Sequence, residues 1–259
     1  MRLVRRVWVC IAAALLALPS FGAAAPGKAA IASAHPLATQ AGLEILARGG
    51  NAFDAAVAVS AALAVVEPNG SGLGGGGFYL LHRASDGKQV FVDAREVAPA
   101  AATRDMYLDA AGNPVEGLST RSAKAAGIPG EPAGWDQLAR KYGRLPLAAS
   151  LEPAIRLARK GHEISVARQA ELAEALDSEG LLGQGQSEFA RIYLVNGKVP
   201  TAGHWMRQPE LAKSLEVLAK GGAEAFYRGP FARKLVQGVQ RLGGLWTEDD
   251  LANYRVVER

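Results

Sequence analysis

Cysteine is almost absent from this 259-residue chain. Its single cysteine, Cys10, lies in an N-terminal stretch that reads as a leader. Residues 26–259 therefore offer no disulfide, no thiolate nucleophile and no cysteine metal site. Histidine is scarce as well. His35, His82, His162 and His204 form neither HExxH nor any other metal spacing, so no metal is implied. G-x-S-x-G is missing, which removes the usual serine-hydrolase elbow. No internal repeat and no Pro- or Ser-rich linker occurs. Beyond the leader, no apolar run reaches the roughly 20 residues that a membrane span needs.

The leader itself is well marked. Arg2, Arg5 and Arg6 form a positive n-region, residues 7–18 an apolar h-region, and residues 21–25 supply small residues for cleavage. Residues 1–25 are read as a secretory signal peptide, cut after Ala24 or Ala25, and residues 26–259 as the remaining domain. The apolar run is too short for an anchor, and polar sequence follows it. The expected location is periplasmic or secreted, with no membrane attachment after cleavage. The net charge of +4 falls by the three leader arginines to +1. The basic pI is then a property of the leader and gives no reason to expect nucleic-acid binding.

What remains is globular in composition, with 49% hydrophobic and 21% charged residues. A buried strand is expected over residues 28–34. Pro36 suits a first helical turn, and Leu37, Ala41, Ile45 and Leu46 share one face up to Gly49-Gly50. Asn51 caps a second helix over residues 52–66, with Asp54 in its first turn. That helix is apolar nearly all round, the mark of a core helix. Residues 78–83 and 89–93 flank an Asp-Gly turn and read as a β-hairpin. A further strand is expected near residues 123–127. Helical spacing follows over 132–142, 147–160, 165–179, 209–220 and 230–241, and Thr247 starts a last short helix. Asn196-Gly197 reads as a hairpin turn between 192–195 and 198–199. Residues 254–259 read as the beginning of a strand, and a chain stopping there suggests truncation. The fold class is α+β.

Two neighbouring segments carry most of the functional information. EPNGSGLGGGGF, residues 67–78, contains G-x-G-x-x-G at Gly70, Gly72 and Gly75. The dinucleotide fingerprint needs strand, glycines, helix. Here the order is helix, glycines, strand, so nucleotide binding is not expected. The four consecutive glycines 74–77 are read as a device for close backbone approach, in preference to an oxyanion hole. DAREVAPAAATRDMY, residues 93–107, places Arg95 just after the hairpin. On its own it reads as an ion-pair residue beside Asp93 and Glu96; Arg104 and Asp105 read as local structure.

Together these segments resemble the large subunit of the γ-glutamyltranspeptidases. Further matches run in the same order to Arg259. They include Gly49-Gly50-Asn51-Ala52 with Asp54-Ala55-Ala56, Gly127-Ile128-Pro129-Gly130, Lys141-Tyr142-Gly143, and Pro153-Ala154 with Leu157-Ala158. Leu211-Ala212-Lys213-Ser214-Leu215, Phe226-Tyr227-Arg228-Gly229, and Gly243-Gly244 before Asp250-Leu251 complete the series.

The resemblance implies a four-layer αββα N-terminal-nucleophile hydrolase fold, incomplete here because only the large-subunit portion is present. It implies a precursor that cuts itself, and γ-glutamyl transfer from glutathione or a related amide without a cofactor. It assigns Arg95 to the substrate α-carboxylate and the oxyanion-hole glycines to the small subunit. The family's nucleophile is a threonine in a Thr-Thr-His-type run. Thr39, Thr103, Thr120, Thr201 and Thr247 are followed by neither threonine nor histidine. The small subunit is therefore the expected partner, and the chain alone is expected to carry no catalytic residue. The alternatives are a related exported acylase, such as a cephalosporin acylase or a poly-γ-glutamate processing enzyme, or an exported binding protein that lost catalysis.

Overall fold

The computed structural model describes residues 29–177 and 188–259. The chain divides into two units, Met1–Ala30 and Ile31–Arg259. Of the first, only Ala29 and Ala30 are described, both exposed and without regular structure. The proposed leader lies outside the described residues. All that follows concerns the second unit.

Helix α1 (Pro36–Ala47) opens with proline in its first turn, and His35 Nδ1 accepts from Leu37 N–H. It buries Ala38, Ala41, Gly42 and Ile45, a face of small residues that lets α2 (Ala52–Val66) approach closely. Leu37 and Leu46 are only half-buried, which turns the face slightly from the one expected. The Asn51 carbonyl oxygen of the side chain accepts from Phe53 and Asp54 N–H at 2.9 and 3.1 Å, and Asp54 Oδ2 accepts from Asn51 N–H at 2.8 Å. Asp54 is fully buried and also accepts from Arg144 and Leu145 N–H at 2.9 and 3.3 Å. One carboxylate thus closes the N-terminus of α2 and fixes a turn 90 residues downstream.

Strands β1 (Gly77–Arg83) and β2 (Lys88–Ala94) form the expected hairpin, with Gly77 opposite Ala94 and Arg83 opposite Lys88. Helices α3 (Glu131–Lys141) and α4 (Leu147–Lys160) follow, then β3 (His162–Glu163), α5 (Val166–Asp177), α6 (Glu188–Tyr193) and β4 (Trp205–Met206). Helices α7 (Pro209–Tyr227), α8 (Gly229–Arg241) and α9 (Glu248–Asn253) precede β5 (Val257–Glu258). The larger sheet has the order β1-β2-β5 and is antiparallel; β3 and β4 pair separately. Tyr79, Leu81, Val90, Val92 and Ala94 face inward, where α3 packs on β2 and the core runs through α2, α4 and α7. Trp135, Leu138, Leu151, Leu215 and Leu218 are fully buried there. The outer face carries Phe78 and Leu80, 54% and 74% exposed, beside Phe91 and Val257.

Three expectations need correction and a fourth needs extension. Residues 29–34 form no strand and belong to neither sheet among the described residues, so they lack the ladder partners a strand needs; residue 28 lies outside the described residues. Residues 123–125 form a 3₁₀ turn, and the pairing occurs later, as a single bridge between Val97 and Ile128. The first arm of the Asn196-Gly197 hairpin is helical through Tyr193, so only Val195 and Lys198 pair around the turn. Finally, the expected helix does end near Lys220, but a second helical stretch not anticipated follows it: α7 is two helices joined across a break at Gly222, with φ of +61°, the second running to Tyr227. Asp136 occupies the space a side chain there would need, so the break packs against α3.

Candidate substrate-binding site

The two informative segments meet at the C-terminal end of β2. Ala94, the last residue of that strand, is fully buried and walled by glycines. A Cβ on Gly76 would lie 2.5 Å from the Ala94 carbonyl oxygen and 2.7 Å from Glu96 N. One on Gly130 would overlap the same carbonyl, and one on Gly134 would lie 2.8 Å from Ala94 Cβ. The glycine run is therefore the close-approach device the sequence indicated. Its carbonyl at Gly75 accepts from Gly130 and Glu131 N–H at 2.9 and 3.0 Å, which seats the N-terminus of α3 on it.

Glu131 strengthens that seat. Its Oε1 accepts from Tyr79 Oη at 2.6 Å, Trp135 Nε1 at 2.8 Å and Ser60 Oγ, joining β1, α3 and α2. Its Oε2 has no hydrogen-bond partner and lies against Gly77, where a Cβ would be 2.6 Å away. Burial, then the Glu131 charge, push the Tyr79 phenol well above its ordinary pKa, so it remains a donor.

Arg95 rises from this platform. Its N–H donates to Asp93 Oδ1 at 3.1 Å, and its carbonyl accepts from Tyr254 Oη at 2.8 Å. The chain beyond it is held by the Val97–Ile128 bridge. The backbone is thus fixed on both sides, while the Arg95 side chain is 65% exposed. Its Nε lies 2.9 Å from Glu96 Oε2, and its guanidinium carbon lies 5.8 Å from the Phe78 ring centre. Asp93 Oδ2 is instead taken by Arg259 Nη1 at 3.0 Å. Among the described residues, the two terminal nitrogens of Arg95 have no hydrogen-bond partner. The contact with Glu96 is an ion pair without hydrogen-bond geometry, since Glu96 Oε2 has no hydrogen-bond partner, and a guanidinium with its far edge open can donate two parallel bonds to a carboxylate.

The other candidates fall away from this point. Arg104 and Asp105 are exposed, with Nε and Oδ1 3.9 Å apart. Thr39 pairs with Ser33, and Thr247 caps α9. His35 caps α1, and His162 is buried in β3. No group of three or more His, Cys, Asp or Glu residues suited to a metal occurs among the described residues. Tyr254 and Glu131 were not singled out by the sequence. The Gly-Ile-Pro-Gly run ahead of α3 was the only local sign that something is seated near Glu131.

Residues 38–259 match the gamma-glutamyltranspeptidase family. The chain belongs to that family. It is 45% identical over 231 residues to the glutathione hydrolase proenzyme of Escherichia coli strain K12, covering 88% of this chain and 39% of that protein. The fold matches the crystal structure of Helicobacter pylori gamma-glutamyltranspeptidase with a TM-score of 0.84 and 39% identity, over 90% of this chain and 67% of that one. It also matches cephalosporin acylase from Bacillus halodurans, with a TM-score of 0.77 and 30% identity, over 91% of this chain and 45% of that one. The chain thus spans about two-fifths of the length of its E. coli relative. In this γ-glutamyltranspeptidase homologue the family match begins within α1 and takes in every element that builds the Arg95 platform.

Proposed function

We propose that residues 26–259 are the N-terminal part of the large subunit of an exported γ-glutamyltransferase, or glutathione hydrolase, and that Arg95 grips the α-carboxylate of the γ-glutamyl group. Residues 1–25 serve as its signal peptide, and the enzyme works in the periplasm or outside the cell. The observation that carries the reading is the contrast at Arg95, a clamped backbone under an exposed fork. A rigid base sets where the carboxylate sits, and the fork sets its orientation.

The chain alone is inactive on this reading. Polypeptide beyond these residues supplies the small subunit and its N-terminal threonine. That hydroxyl adds to the γ-amide carbonyl, with its proton passing to the residue's own amine. The C–N bond then breaks, the amine leaves with the proton, and the acyl group passes to water or an acceptor amine. The exposed apolar outer face of the β1-β2-β5 sheet supports a second sheet packing there, the inner pair of an αββα sandwich.

The test is hydrolysis of glutathione by the full-length gene product and by residues 26–259 alone. The matured full-length product should release cysteinylglycine and glutamate; residues 26–259 should release none. Turnover by residues 26–259, or a folded and matured full-length product inert towards every γ-glutamyl amide, would contradict the proposal.

A further inference from the structure

Helix α9 touches the Arg95 segment at two places more than 140 residues away in sequence. At its C-terminal cap, Tyr254 Oη donates to the Arg95 carbonyl at 2.8 Å. In its first turn, Asp250 Oδ1 accepts from Ala100 N–H at 2.8 Å. The six residues 95–100 are therefore spanned by one short helix gripping both ends. Val97, between the grips, is bridged to Ile128 by bonds of 3.3 and 2.8 Å.

The grips are themselves fixed. Asp250 is locked by a reciprocal cap, since its Oδ2 accepts from Thr247 N–H and Oγ1 while Thr247 Oγ1 accepts from Asp250 N–H. The Tyr254 ring is buried and stacks on Tyr227, with ring centres 5.4 Å apart and planes 8° from parallel. Tyr227 Oη donates to the Pro129 carbonyl at 2.7 Å. The stacked pair thus pins the Arg95 end of β2 and the Pro129-Gly130 turn that lies against Ala94, one through each hydroxyl. Gly130 is required at the junction, because a Cβ there would overlap Tyr254 Oη as well as the Ala94 carbonyl. Burial, then the charges of Asp93, Glu96 and Glu131, raise the Tyr254 phenol pKa above its ordinary value and keep it a donor.

We infer that α9 is a two-point clamp that sets the height and direction of Arg95, with Tyr254 and Asp250 as positioning residues for binding of the substrate carboxylate. Neither touches substrate; both act through the Arg95 backbone. The inference rests on the reading of Arg95 given above.

The experiment uses the full-length gene product and two anilides, γ-glutamyl anilide and 4-aminobutyryl anilide, which lacks the α-carboxylate. Tyr254→Phe keeps the ring stack and removes one hydroxyl. It should raise KM for γ-glutamyl anilide roughly threefold to tenfold, the scale of one net hydrogen bond, with kcat nearly unchanged. Turnover of 4-aminobutyryl anilide should not move. In an Arg95→Ala background, Tyr254→Phe should have no further effect on either substrate. Asp250→Ala, which releases the other grip, should give the same selective rise, and it decides the matter if Tyr254→Phe does not mature. Equal losses on both substrates would overturn the clamp, as would unchanged KM in a folded variant. If the wild type favours γ-glutamyl anilide and Arg95→Ala removes that preference, but neither clamp variant does, only the clamp falls. If the wild type shows no preference, the reading of Arg95 falls and the clamp with it.

Discussion

Within four consecutive glycines, the structure separates one that must be glycine from one that need not be. At Gly76 an added Cβ meets the Ala94 carbonyl oxygen at 2.5 Å, Glu96 N at 2.7 Å and the Arg95 carbonyl carbon at 2.9 Å. All three are backbone atoms of the strand end that carries Arg95, so no rotamer change relieves the overlap. At Gly74 nothing lies within 4 Å, and its φ is outside the positive range. Overpacking costs about 1–3 kcal/mol, and immovable backbone puts Gly76→Ala at the upper end. About 1 kcal/mol moves Tm by about 2–4 °C in a fold of 150–250 residues, and by less in a longer product. Gly76→Ala should therefore lower the Tm of the full-length product by about 3–6 °C. Gly74→Ala should be neutral, or raise it slightly by restricting the unfolded chain. The assay is thermal unfolding of the full-length gene product followed by circular dichroism. Equal drops for the two variants, or no drop at Gly76, would refute the close-packing account.

Three further outcomes follow from buried groups and exposed faces. Asp54→Ala strands the N–H groups of Asn51, Arg144 and Leu145. It should cost at least about 3 kcal/mol in urea unfolding; a loss below about 1 kcal/mol would show that this carboxylate does not organise the fold. Burial lowers the pKa of His162, outweighing the carbonyls of Glu163 and Val65 that favour its charged form. The unfolded chain then binds the proton more readily than the folded one, so stability should fall as pH drops below about 6.5. His162→Asn should flatten that slope, and an unchanged slope would locate it elsewhere. Residues 26–259 expressed alone should bind an apolar dye through the Phe78, Leu80 and Val257 face and should aggregate or show molten behaviour. A sharply melting monomer that binds no dye would contradict a missing second sheet.

Much of the helical framework was legible because its signals are local. The Asn51–Asp54 cap, proline in the first turns of α1 and α7, and apolar spacing in α4 and α8 place those elements closely. The hairpin was legible from its turn. Errors arose where a partner decides the outcome. Residues 29–34 have strand composition but pair with no strand among the described residues, and the residues before Asn196 pack as a helical turn, with Phe189 and Tyr193 against Ile164, Leu172 and Met206. The position of Arg95 was legible because it directly follows a strand. Its clamp was not, because the Tyr254 and Asp250 bonds join residues 159 and 150 positions apart. No periodicity or turn motif encodes a contact of that span.

Substituting Arg95 decides whether it holds a substrate carboxylate. Two charge-assisted hydrogen bonds of about 1.5–3 kcal/mol each are at stake, and the exposure of the side chain favours the lower end. In the full-length product, Arg95→Ala should reduce kcat/KM for γ-glutamyl anilide by about 100-fold or more. It should leave 4-aminobutyryl anilide nearly untouched and subunit maturation intact. Arg95→Lys keeps the charge and loses the fork, so it should fall between wild type and alanine. If Arg95→Ala impairs both anilides equally, or blocks maturation, Arg95 is a structural partner of Glu96 and the account is wrong at its centre.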